Sequence, residues 1–144
     1  MDPRTIDVLE LFIADLKRLV GSLERYNPKD LAVQSLKRRV IIGCRDVPTH
    51  VIELVGKYMI PYHKEIFDGS FEFFMDNNYS DEILKASNDD DIDIVKHIIA
   101  ISKRTFEHIT LNERGTYIAL AQDMLDKYLE YKGSIIDRQR MAQN

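Results

Sequence analysis

Apolar residues recur every three or four positions along most of this chain, a spacing that a helix can put on one face and a strand cannot. The clearest run is Leu9, Phe12, Ile13, Leu16, Leu19, Val20 and Leu23. It predicts an amphipathic helix from Pro3 to about Tyr26, with Asp15, Lys17, Arg18 and Glu24 mostly off the apolar stripe. Asp2 can cap this helix. Pro3 suits its first turn, where a missing N–H costs nothing.

The same punctuation returns downstream. Asn27 as cap and Pro28 at the first position open a second helix to about Ile42, with Leu31, Leu36, Val40 and Ile41 as its buried face and Gly43 as its stop. Asp46 with Pro48 opens a third, through Ile52, Val55 and Met59, which should break at Ile60 because Pro61 disfavours helical geometry there. A short helix resumes through Ile66, Asp68-Gly69 turns, and Phe71 to Met75 reads as a further helical turn. A short helix follows from Ser80 to about Ala86, then a solvated loop and cap run at Asn88 to Asp91. The next helix reaches about Thr110, with Ile94, Ile98, Ile101 and Thr105 on one face beside Val95, Ile99 and Phe106. Thr110 and Glu113 have capping-box spacing, and Tyr117, Leu120, Ala121, Met124, Leu125 and Tyr128 form the last core stripe, ending at Gly133. The expected fold is therefore all-α: a single-domain bundle of about five to seven amphipathic helices over residues 1–133, with residues 134–144 a polar C-terminal tail or short helix.

A chain of 144 residues can bury roughly 70% of its unfolded surface without disulfide or metal staples. Cys44 is the only cysteine, so no intramolecular disulfide forms, in keeping with a reducing compartment. Asp2, Asp7, Glu10 and Asp15 interrupt any signal-peptide core, and no run approaches the ~20 apolar residues of a membrane span. The expectation is an intracellular, soluble protein. A formal net charge of -4 gives no general affinity for nucleic acid or anionic lipid.

Chemistry-bearing motifs are absent: no phosphate loop, dinucleotide fingerprint, nucleophile elbow or paired zinc cysteines. His97 and His108 can share a helix face but would lie about 16 Å apart along the axis, too far for one metal ion. His50 and His63 are isolated. Asp76, Asn78 and Ser80 imitate a calcium loop, yet Asp81 stands where glycine is needed and Ser87 where the last carboxylate is needed. Asp89, Asp91 and Asp93 fail likewise, at Ile94 and Ala100. Arg45 could lower the Cys44 pKa, but no histidine is spaced to activate it, so a buried helix-end cysteine is the plainer reading. No catalytic residue, metal ligand or cofactor is assigned.

Two features could serve recognition. Residues 58–79 hold seven of the thirteen aromatic residues: Tyr58, Tyr62, Phe67, Phe71, Phe73, Phe74 and Tyr79. Such a cluster is either a packing hub or, where a ring stays exposed, an interface anchor. Phe71, Phe73, Phe74 and Tyr79 are the candidates for apolar contact with a protein partner. Lys37, Arg38 and Arg39 form a basic patch against the acidic stretch from Asp76 to Asp93. This patch is a candidate for electrostatic docking of a protein or, alternatively, of phosphates. Three consecutive helical residues spread around the axis, so only part of the patch can face one way.

The segment IPYHKEIFDGSFEFF, and later FEHITLNERGTYIALAQDMLDKYLEYK, resemble small helical proteins of large nucleocytoplasmic DNA viruses over roughly half the chain. The resemblance carries no catalytic motif and transfers no functional residue. It implies a virion or assembly protein, such as a minor capsid or scaffold-associated component. The function expected is a non-enzymatic structural or assembly role through protein–protein contacts, with other proteins or a capsid as partners. The alternatives are a nucleic-acid-associated regulator using the basic patch and an enzyme with a tertiary His/carboxylate site.

Overall fold

The structure, a computed structural model, describes residues 2–79 and 89–143. Every regular element among them is helical: α1 (Pro3–Tyr26), α2 (Leu31–Asp46), α3 (Pro48–Met59), a 3-10 turn (Ile60–Tyr62), α4 (His63–Asp68), α5 (Phe71–Asp76), α6 (Asp89–His108) and α7 (Leu111–Gln143). They form the single-domain, all-α bundle that the apolar spacing predicts.

The bundle is organised by its two longest helices, α1 and α7. They run antiparallel, as three pairings show: the Thr5 hydroxyl bonds the Ser134 hydroxyl, Asp15 faces Asp123, and the Tyr26 hydroxyl donates to Glu113. Asp2 caps α1 as expected, its Oδ1 accepting from the Thr5 N–H at 2.9 Å. Phe12 of α1, Ile52 of α3 and Met124 and Leu125 of α7 are fully buried, flanked by Leu16 and Tyr128. Each such side chain contributes about 1.5–3 kcal/mol relative to exposure.

α3 lies close against α7. A Cβ added to Gly56 would fall within the Tyr128 ring, 2.5 Å from Cζ and nearer still to Cδ2 and Cε2. Pro61 ends α3 as expected, and the chain turns through the 3-10 segment into α4. Gly69 (φ 68°) closes α4 in the left-handed conformation, its N–H bonding the Ile66 carbonyl at 3.1 Å. The Gln122 amide of α7 donates to the Ile66 and Phe67 carbonyls (3.2 and 3.1 Å), fastening this corner to the long helix.

Several boundaries differ from the sequence expectation. Asn27 terminates α1 and does not open α2: its side chain donates to the Leu23 carbonyl (3.0 Å) and to Thr105 Oγ1 (2.9 Å). Asp30 is the true cap of α2, accepting from the Val33 N–H at 3.0 Å. Leu31, expected in the core, is 84% exposed, and Ile41 is also exposed. α2 runs through Gly43 to Asp46 because Gly43 serves close packing: its Cβ position lies 3.0 Å from Val51 Cγ2 on α3. Asp46 does not cap α3, since its carboxylate is held by Arg45 at 2.8 and 3.1 Å.

The run Asp89 to Asp91 lies within α6 and is not a loop. The short helix expected at Ser80 to Ala86 lies outside the described residues. α7 continues past Gly133 to Gln143, so residues 134–143 are not a separate tail. Buried Tyr131 and Ser134, with Ile135 packed on the core, outweigh the ~1 kcal/mol that glycine costs a helix. The cap of α7 is as expected, with the Glu113 N–H donating to Thr110 Oγ1 at 3.2 Å. Asp15, placed off the stripe by the sequence, is 5% exposed.

Candidate functional site

The aromatic residues of 58–79 divide into two groups. Tyr62 gathers Phe73, Phe74 and Tyr79 at centroid distances of 6.0, 6.2 and 6.0 Å. Phe71 turns the other way, edge-on to Phe106 (6.3 Å), which in turn meets Tyr117 at 5.1 Å. Arg114 lies over the Phe71 ring at 4.5 Å, a cation–π contact. Phe74 packs on the core, whereas Tyr58, Phe67 and Phe73 are exposed. Tyr79 holds a left-handed backbone (φ 55°), which costs about 1–2 kcal/mol for a residue other than glycine. Its N–H bonds Asn77 Oδ1 (2.8 Å), its hydroxyl donates to the Phe74 carbonyl (3.0 Å), and Lys103 lies over its ring at 5.5 Å.

These two groups wall an apolar trough beneath α6. One lobe, about 330 Å³, runs between α5 and α6 and is lined by Phe71, Phe74, Met75 and Tyr79 opposite Ile99 and Lys103. A second lobe, about 480 Å³, lies between α1, α2, α3 and α6, with Leu36, Val40, Val51 and Val55 on its outer wall. Leu19, Ile98, Ser102, Phe106 and Tyr117 line both lobes, so the two form one continuous depression. Its surface is almost wholly apolar, with Ser102, Thr105, Arg39 and Lys103 as the polar exceptions. Thr105 is already engaged, its hydroxyl donating to the Ile101 carbonyl at 2.8 Å. Each lobe's volume falls in the range of small-molecule clefts. α6 reaches the core through Ile101 and Thr105, and it is tied at its flank by His97 Nε2, 2.8 Å from Asp30 Oδ2.

The basic residues are not brought together as one face. Lys37 is spent on Glu24 of α1, 2.8 Å away, and this contact holds the Glu24 carboxyl below its usual range. Arg38 is exposed, while Arg39 lines the trough. Of the two calcium-like runs, Asp76 ends α5 and Asn78 is exposed, Ser80 lies outside the described residues, and Asp89 to Asp93 fall within α6. Among the described residues no group of three or more His, Cys, Asp or Glu side chains could hold a metal ion. Cys44 is buried, and burial pushes its thiol pKa up, away from a reactive thiolate. Arg45 is engaged with Asp46. Among the described residues no helix is long and apolar enough to cross a membrane.

Leu19, Ile98, Ser102 and Tyr117, which join the two lobes, went unrecognised as a unit in the sequence. Leu19, Ile98 and Tyr117 belong to ordinary core stripes and Ser102 to none, and among the described residues the packing of α6 leaves them facing a gap. No family model, curated protein or solved structure matches this chain.

Proposed function

We propose that this chain is a structural or assembly protein that acts without catalysis, through protein–protein contacts made at the trough beneath α6. The observation that carries this reading is the trough itself: a continuous apolar depression with an aromatic wall on one side and cationic Arg39 and Lys103 at its two lobes. Contiguous exposed apolar surface is often functional. Amphipathic segments with acidic flanks fit it, since apolar anchors fill such grooves and charge at the rim sets orientation. Phe71, Phe74 and Tyr79 supply the wall, and exposed Phe73 stands edge-on to Phe74 at 5.4 Å. The resemblance to helical proteins of large DNA viruses supports a place in a virion or its assembly intermediate, as a minor capsid or scaffold-associated component. A nucleic-acid role has less support, because Lys37 is committed to Glu24 and Arg39 lines the trough.

The test is the native mass of the complex after gentle extraction, with wild type compared with Ile99→Glu. Ile99 is half-buried at the trough and its replacement should leave the helical circular dichroism intact. A stoichiometric assembly that Ile99→Glu dissolves supports the reading. A monomer, or an assembly indifferent to Ile99→Glu, refutes it.

A further inference from the structure

Asp15 sits midway along the α1/α7 seam, between the Thr5–Ser134 and Tyr26–Glu113 bonds, directly across from Asp123. It is 5% exposed, and its Oδ2 has no hydrogen-bond donor. Oδ1 lies 3.5 Å from Arg18 Nη1, a long contact to a side chain that is itself 74% exposed and therefore screened by water. Two facing carboxylates are both acceptors, and a buried, unsatisfied acceptor is costly. One proton converts the repulsion into a hydrogen bond, as in other close carboxyl pairs.

We infer that Asp15 and Asp123 are a proton-binding clasp in which one shared proton bridges α1 and α7, so that the bundle is tighter in acidic than in neutral surroundings. The groups facing the pair are Arg18 from α1 and Lys127 from α7, with Arg25 and Glu113 further along the same groove. Among the described residues, that groove is lined by α1 and α7 alone. Burial first, then the hydrogen bond and charge of Asp123, push the Asp15 carboxyl up to about 6 from 3.8, against the weaker opposing pull of Arg18 and Lys127.

The sign follows from linkage. The folded pKa exceeds the unfolded value, so the native state keeps a proton that the unfolded chain releases. The contribution is fully present below the unfolded pKa near 3.8 and is lost as pH rises through about 6. This inference is independent of the trough.

The experiment combines two measurements on the full chain: carboxyl-carbon NMR titration of Asp15, and urea unfolding of wild type, Asp15→Asn and Asp123→Asn. The Asp15 carbon should titrate well above the other aspartates, and Asp123→Asn, a change at an exposed position, should lower its midpoint. Asp15→Asn should match wild type below about pH 4 and be the more stable at about pH 7.5, its unfolding constant there roughly a hundredfold smaller than that of wild type. If Asp15→Asn fails to fold, the Asp123→Asn titration decides alone. An ordinary Asp15 midpoint, or one unmoved by Asp123→Asn, overturns the inference. So does wild-type stabilisation by added magnesium or calcium at neutral pH that Asp123→Asn abolishes, because the pair would then belong to a cation.

Discussion

Replacing Gly56 by alanine should destabilise this protein, although the same change in most helix interiors stabilises. Alanine gains about 0.8–1 kcal/mol over glycine in a helix interior. At Gly56 the new methyl would occupy the Tyr128 ring, 2.5 Å from Cζ and closer to its neighbours. Three ring carbons are involved, so the flexible end of a side chain cannot simply swing aside. Either the buried ring leaves its rotamer or α3 backs away from α7, and such overpacking costs typically 1–3 kcal/mol, occasionally more. The net expectation is a loss of up to about 2 kcal/mol, which at this chain length lowers the melting temperature by up to roughly 8 °C.

Gly21 supplies the control: it is mid-helix in α1, and an added Cβ meets nothing within 4 Å. Gly21→Ala should therefore raise stability by about 0.5–1 kcal/mol. Urea and thermal unfolding of both variants, with Tyr128→Leu alone and combined with Gly56→Ala, measure the effect and its coupling. The double variant should recover part of the Gly56→Ala loss. If Gly56→Ala stabilises as Gly21→Ala does, or if its cost is unchanged by Tyr128→Leu, the close approach of α3 and α7 is wrong.

Further outcomes are expected. Asp30→Ala removes the cap of α2 and the contact with His97, and should cost about 1 kcal/mol or more in thermal unfolding. Leu31→Lys, one residue on, should change stability by less than about 0.5 kcal/mol because Leu31 is 84% exposed; a larger loss would show that Leu31 is core after all. Phe74→Ala should cost about 2–4 kcal/mol, since Phe74 packs on the core, whereas Phe73→Ala should cost much less; equal losses in urea unfolding would contradict the split of the aromatic cluster.

The periodic stripes made the helical content legible because spacing and burial are two views of one geometry: Leu9, Phe12 and Leu16 recur at helical intervals, and all three are buried. The caps at Asp2 and Thr110 were legible for the same local reason, since a cap is completed within three residues of itself. Where the chain offered two competing local signals, sequence reasoning chose the wrong one. Asn27-Pro28 looks like a helix start, yet Asn27 is drawn to Leu23 behind it and to Thr105, distant in sequence. Gly43 and Gly133 look like stops, yet Gly43 admits Val51 and Gly133 is carried by the burial around it.

For the candidate site, the aromatic wall was visible as composition, and its division between Tyr62 and Phe106 was not. The basic patch was visible as Lys37, Arg38 and Arg39 in a row, but its loss to Glu24 lay thirteen residues away.

The sequence by itself determined that this chain is helical, where most helices lie and which stripes they bury, because those properties depend on residues within a turn or two of each other. Only the tertiary structure decided that Gly56 meets Tyr128, that Asp15 faces Asp123 across the α1/α7 seam, and that α6 leaves an apolar trough against the bundle. Those pairings join residues far apart in the chain, and the rotation of one helix against another that creates them leaves no periodic trace in either segment.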